Sequence, residues 1–384
     1  MMPDKITFTE RQAFDMHYNL ADAQVYVQLD DKLRGVMHNL SGLAEQAYAT
    51  GIEELKASFL ETYCGFYDLP IRNDAVRTLF CYSATIALEI TANVIRTADR
   101  FARKNIALLH PTFDATYYIC QRHDLHIFSV SQTALKDSGE LRGILEQANI
   151  EALFLTVPNN PTGEVLSREE LQAVCDICKS LDILLVVDAC FRFYWNHQVF
   201  DHYAILIDSG VEYIVIEDTG KLFNVLDIKV GVMRYRTTVD KAIEDIHLDF
   251  VLNVPRLSLV VLRELLANAS DYRQRIFADL TQRRQQLAQA ASGMGCQIIS
   301  QPYVPVALAQ FTHDIDDKRL EKHLQRQSVA VLSARGYYWH DPAQGKNKLR
   351  IALLRETDYF TNGLARLSQA LQDYEEGVTR GNSR

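Results

Sequence analysis

The sequence predicts an α/β fold, with a mixed, mostly parallel sheet between helices and a smaller α+β domain after it. Three observations carry this expectation. Apolar runs in the middle of the chain are short and continuous rather than alternating, as in strands buried on both faces. Amphipathic segments separate them, which is the rhythm of parallel strands joined by helices. From about Thr237 the pattern turns helical and then mixed, marking a second unit.

The elements follow in order. Strands are expected at 78–82, 105–110, 126–130, 152–158, 183–189, 213–217 and 229–235. Helices are expected at 85–97, 114–124, 167–181 and about 205–210. Ser167 is an N-cap residue with Glu169 and Glu170 in the first turn, and Leu171, Val174, Cys175, Cys178 and Leu181 recur at helical spacing. Beyond these, 241–269 and 272–294 read as long helices. A mixed segment comes next, with 304–311, a helix at 316–325, strands near 329–333 and 348–353, and a last helix at 357–372. The polar tail after Asp373 is expected to fray.

The chain has 384 residues, 48% of them apolar, more than one hydrophobic core usually supports. The expected division is an N-terminal segment 1–38, a large domain 39–275 and a small domain 276–384. A net charge of −9, from 49 acids and 40 bases, argues against a broad nucleic-acid-binding surface. No apolar run approaches the roughly 20 residues of a membrane span, and the first residues do not form an apolar leader. Seven Cys scattered along the chain argue for a reducing compartment, so the cytoplasm is expected. Cys175 and Cys178 form a lone C-x-x-C in a helical setting, a weak signal for metal or redox chemistry.

In a parallel sheet the ligand sits beyond the carboxyl ends of the strands. There the sequence places Asn160 in Asn-Pro-Thr-Gly, Asp188 directly after a buried run, Lys221 after Glu217-Asp218-Thr219-Gly220, and Lys229 eight residues on. A turn alone would explain Asn160, but an acid at the end of a buried run needs a cation or donors to face. The set suits pyridoxal 5′-phosphate: an amine for its aldehyde, a carboxylate for the pyridine nitrogen, an amide for the ring oxygen and a cation for the phosphate.

These residues resemble the fold-type I pyridoxal phosphate enzymes, the aspartate aminotransferase group, from about Asn39 to Gln372. The resemblance implies that Lys221 is the Schiff-base lysine, Asp188 the pyridinium partner and Asn160 the donor to the ring oxygen, with Lys229 where the family usually has Arg. It implies that Ser83, Ala84 and Thr85 hold the phosphate at a helix N-terminus, that Phe113 stacks on the ring, and that Arg350 grips the substrate carboxylate. Taken singly, Phe113 could be core and Arg350 a surface cation.

Two positions depart from the aminotransferase pattern. Phe191 stands where Tyr is usual, and Asp218 where a phosphate-binding Ser is usual. An acid would repel a phosphate, so Asp218 is expected to face the substrate instead. With these departures, the strings Cys81-Tyr82-Ser83, His110-Pro111-Thr112-Phe113-Asp114, Ile216-Glu217-Asp218-Thr219-Gly220-Lys221-Leu222 and Arg350-Ile351-Ala352-Leu353 resemble the pyridoxal phosphate- and O2-dependent L-arginine oxidases and hydroxylases of natural-product pathways. That likeness implies that the N-terminal segment folds over the site as a lid, with Glu10 and Asp22 on the guanidinium and Asp218 a third acid nearby. For Glu10 a solvated surface charge is the plain alternative.

Hydroxylating members carry His two residues after the acid at Asp22, and here it is Gln24, which cannot serve as a base. The resemblance therefore implies oxidation of L-arginine to 4,5-dehydro-2-iminoarginine and its 2-keto acid, with O2 as co-substrate and H2O2 released. A homodimer is implied, and an imine reductase could take the product. The alternatives are a 4-hydroxylase, an ordinary arginine aminotransferase and a non-catalytic regulator.

Overall fold

Alternate residues of the central strands are buried on opposite sides of one sheet. Leu184 and Val186 pack with Ile106, Leu108, Ile214 and Ile216 on one face, while Leu185 and Val187 pack with Leu153, Leu155 and Val215 on the other. Burial on both faces is why these strands read as unbroken apolar runs. The computed structural model describes residues 5–72, 74–195, 200–225 and 227–382.

The sheet has seven strands in the order Arg77–Cys81, Gly231–Arg236, Tyr213–Asp218, Leu184–Asp188, Ala152–Thr156, Asn105–His110 and His126–Ser131. Only Gly231–Arg236 runs antiparallel to its neighbours, so the sheet is mixed and mostly parallel as expected. Its register brings Cys81 opposite Gly231, Gly231 opposite Asp218, and Thr156 opposite Asp188, so these residues share one edge. Helices Ala84–Thr97 and Asp240–Phe250 cover one face; helices Arg168–Ser180 and Arg256–Ala267 lie against the other. Ser167 caps its helix in a full capping box with Glu170.

A second, antiparallel sheet has the order Leu332–Ser333, Lys348–Ala352, Val306–Phe311 and Cys296–Ile298. The N-terminal segment contributes helix Ile6–Ala13 and the pair Tyr18–Asn19, which runs parallel to Val329–Ala330. That pairing splits the strand expected at 329–333 into two pieces serving different sheets.

Two expectations need correction, and one expected boundary falls within a helix. The single helix expected at 241–269 is two, Asp240–Phe250 and Arg256–Ala267, because Pro255 lacks an N–H and keeps Val254 out of the helical region. The described part of the tail after Asp373 is helical: the last helix runs over Thr357–Asn382. The boundary expected between 275 and 276 falls inside helix Ser270–Ala291, whose 22 residues form one continuous rod. All seven cysteines are free, Cys175 and Cys178 among them. Among the described residues no helix is long and apolar enough to cross a membrane, and no cluster of His, Cys, Asp and Glu could hold a metal ion.

Candidate active site

At the carboxyl edge of the large sheet lies a cavity of about 300 Å³, walled by the strand ends, the start of helix Ala84–Thr97 and the N-terminal segment. Three cations line it, Lys221, Lys229 and Arg350, with three acids, Glu10, Asp188 and Asp218. Ser83, Ala84, Thr85, Phe113, Asn160, Phe191 and Gln24 line it as well. Segments from seven regions of the chain meet here because the parallel strands all end on this side.

The Lys221 turn is held tightly. Thr219 and Val230 exchange bonds across the loop, Thr219 N–H donating to the Val230 carbonyl at 3.1 Å and Val230 N–H to Thr219 Oγ1 at 2.9 Å. Tyr194 donates its hydroxyl to the Lys221 carbonyl at 2.5 Å, and Tyr272 to that of Leu222 at 3.1 Å. A Cβ on Gly220 would stand 2.8 Å from Asp218 Oδ1 and 3.0 Å from Lys229 Cδ, so a side chain there would push both of these side chains aside.

Asp188 ends its strand with Oδ1 accepting the Cys190 N–H at 3.1 Å. Burial raises its carboxyl above the ordinary range, opposed by the Cys190 bonds and by Lys221. A cationic partner at this point would favour the charged form. On the next strand end, Thr156 and Thr112 share a hydroxyl bond of 2.8 Å, and Asn159 donates to the Pro111 carbonyl at 2.9 Å. These bonds tie the Asn160 turn to the Phe113 loop. In that turn Gly163 has φ of 72°, and a Cβ would meet the Gln301 carbonyl oxygen at 2.5 Å, so the Asn-Pro-Thr-Gly string is a close-packed corner.

Arg350 is fully buried. Its Nη1 donates to Asn160 Oδ1 at 3.3 Å, its Nη2 to Glu10 Oε1 at 2.7 Å and to the Ala21 carbonyl, while Nε has no partner among the described residues. The guanidinium lies 5.3 Å from the ring centre of Tyr337. Tyr337 was not legible as a site residue, because nothing in its sequence neighbourhood distinguishes it from core. Asp114 was also missed as a contributor: its Oδ2 accepts the Ile6 N–H at 2.8 Å and anchors the N-terminal helix beside the cavity. Burial, reinforced by Glu10, raises the Asp114 carboxyl to about 6.

Two site expectations meet a different geometry. Asp218 does line the cavity, but it does not turn away from the phosphate loop: Oδ2 accepts the Ala84 N–H at 2.8 Å and Oδ1 the Gly220 N–H at 2.5 Å. The helix N-terminus and two nearby lysines attract the carboxylate that a phosphate would repel. Burial still raises Asp218 above the ordinary range. Asp22 is not among the lining residues. It is buried, accepts from Asn19 Nδ2 at 2.6 Å and from Gln24 N–H at 2.8 Å, and lies 3.5 Å from Arg355. Its carboxylate is engaged by the N-terminal segment's own backbone and by Arg355. Gln24 does reach the cavity, held by its carbonyl on Arg355 Nη1 at 2.8 Å.

The residues present fit pyridoxal phosphate. A lysine and a half-buried acid stand on adjacent strand ends, and the helix at Ala84 opens into the cavity. Gly231 lets that helix start approach: a Cβ there would be 2.6 Å from the Ser83 carbonyl carbon.

The aminotransferase class I and II family model matches residues 48–367. A solved structure of MppP soaked with the product 2-ketoarginine is similar over 92% of this chain and 99% of that one, at 28% identity and a TM-score of 0.83. The aspartate aminotransferase of Thermus thermophilus with maleate shares the fold over 96% of this chain and 97% of its own, at 15% identity and a TM-score of 0.79. Kynurenine–oxoglutarate transaminase 1 of Homo sapiens is 31% identical over 118 residues, 30% of this chain; the chain spans about a quarter of that enzyme's length (27%).

Proposed function

The chain belongs to the aminotransferase class I and II family, whose enzymes depend on pyridoxal phosphate, and on that premise we propose that it is an O2-consuming oxidase of L-arginine. The observation that carries the proposal is the pairing of a fully buried Arg350 with Glu10 from the N-terminal helix in one cavity. An amino-acid oxidase or transaminase needs a cation for the substrate carboxylate; an additional acid nearby favours a substrate with a cationic side chain. Similarity to MppP, solved after soaking with the product 2-ketoarginine, supports the same class of substrate.

Pyridoxal phosphate supplies, when bound, an aldehyde for the substrate amine and a ring that accepts electrons from the α-carbon. Lys221 would hold it and then, as a free amine, remove the α-proton. Asp188 would keep the pyridine nitrogen protonated, a role in which the cation in turn favours the charged carboxylate. Ser83, Ala84, Thr85 and Lys229 would hold the phosphate, Phe113 would cover one ring face and Asn160 would donate to the ring oxygen. Arg350 would orient the α-carboxylate, and Glu10 would meet the guanidinium. The N-terminal segment, whose Thr7, Glu10, Ala23 and Gln24 line the cavity, would help to exclude water from it. Gln24 offers no base for delivering a hydroxyl group, which favours desaturation: L-arginine and two O2 give 4,5-dehydro-2-iminoarginine and two H2O2. Water, or a partner imine reductase, would then act on the released imine.

A homodimer fits the exposed apolar side chains Tyr48, Leu252 and Leu257, which flank the contact of Arg256 with the Thr50 carbonyl.

An oxygen electrode coupled to mass spectrometry of products from L-arginine tests the proposal. O2 uptake with a product lighter by four hydrogens, or its keto acid, is expected. Amino transfer to a keto acid without O2 uptake would make the protein an aminotransferase, and a hydroxylated main product would make it a hydroxylase. Lys221→Ala should abolish the visible absorption of the loaded protein.

A further inference from the structure

We propose that Glu10 is an exchangeable carboxylate: it occupies Arg350 while the site lacks substrate, and a substrate carboxylate drives it onto the substrate's side-chain cation. The inference deepens the reading of Arg350 and Glu10 given above and rests on it.

The donors of Arg350 can be counted. A guanidinium has five N–H groups in a fixed fork. Both on Nη2 are used, by Glu10 Oε1 at 2.7 Å and by the Ala21 carbonyl. One on Nη1 goes to Asn160 Oδ1 at 3.3 Å. A carboxylate bound end-on by the fork needs one N–H from each Nη. The Nη2 donor for that pair belongs to Glu10 or to a backbone carbonyl, and the carbonyl is fixed by the fold. Glu10 is the ligand that can leave.

Where it goes decides what the site accepts. Helix Ile6–Ala13 is tethered at its start by the Ile6–Asp114 bond of 2.8 Å, so a displaced Glu10 stays beside the cavity. Asp114 lies near enough to raise its energy, and Lys5, at the start of the same segment, faces the Tyr118 ring at 4.4 Å. The other cations lining the cavity, Lys221 and Lys229, stand with Asp218. A ligand with a neutral side chain therefore strands a carboxylate, whereas one with a guanidinium pairs it. Selectivity then comes as much from what a neutral ligand leaves unpaired as from what arginine gains.

The test is equilibrium binding of L-norleucine and L-arginine to the protein loaded with pyridoxal phosphate, without O2, followed by the shift of its absorption band. Glu10→Gln weakens the competitor for Arg350 and Glu10→Ala removes it. Norleucine should bind about tenfold tighter to the Ala variant than to the unsubstituted protein, with Gln between, the factor about one charge-assisted bond is worth. The preference for arginine over norleucine should shrink by at least that factor. Norleucine affinity that stays constant or falls across the series, in variants with an unchanged melting temperature, overturns the exchange. Tighter norleucine binding in the variants, with no arginine preference in any of the three proteins, would uphold the displacement step while removing arginine as the substrate.

Discussion

Asp218 Oδ2 accepts the backbone N–H of Ala84 at 2.8 Å, so an acid from a strand end caps the helix that would receive the cofactor's phosphate. The two residues are 134 positions apart, and the register of Gly231 against both Cys81 and Asp218 brings them together. An anion at this point competes with another anion for the same amide.

Replacing Asp218 with Asn or Ser should therefore strengthen pyridoxal phosphate binding. A gain of about tenfold, the value of one charge-assisted hydrogen bond, is expected in an absorbance titration of the cofactor-free protein. Equal affinity in Asp218→Asn would mean that the carboxylate moves aside at no cost.

Asp114 predicts a dependence of stability on pH. The unfolded chain gives up this proton near 3.8, while the folded protein keeps it to about 6. Between those values the folded state holds the extra proton, so stability falls as pH rises through the window and is level above it. The loss amounts to about 3 kcal/mol. Asp114→Asn, which can still accept the Ile6 N–H, should gain on the parent by that amount between pH 4 and pH 7 in urea unfolding. A difference that does not change with pH would remove Asp114 as the cause.

Gly231→Ala tests the approach of sheet and helix. Its Cβ would lie 2.6 Å from the Ser83 carbonyl carbon and 3.0 Å from Ala84 N, backbone atoms that cannot rotate away. A stability loss of about 2 kcal/mol, with weaker cofactor binding, is expected from overpacking at a helix start. Wild-type behaviour would show that the two elements can separate freely.

Arg355 and Asp22 should behave as a structural pair. Arg355 donates to the carbonyls of Asn19, Asp22 and Gln24 and sits 3.5 Å from the Asp22 carboxylate. Removing one partner of a buried pair costs about 3–5 kcal/mol. Arg355→Ala should thus destabilise the protein and expose residues 14–28 to limited proteolysis. Asp22→Asn should lower the melting temperature while leaving the KM for arginine within about twofold, the range of a residue with no substrate contact. A large rise in KM at unchanged stability would return Asp22 to the substrate.

What the chain settled by itself was the succession of the large sheet's strands and the residues at their ends. Continuous apolar runs, helical spacing and N-caps such as Ser167 are local signals; Asn160, Asp188 and Lys221 are legible because each follows a buried run, and Lys229 because it opens the next one. Tertiary structure alone decided where the charged side chains of Asp218, Asp22 and Glu10 point. A carboxylate turns to whichever donors and cations the fold delivers: Ala84 for Asp218, Arg355 for Asp22 and Arg350 for Glu10. Those partners lie between 134 and 340 residues away, beyond the reach of any local pattern.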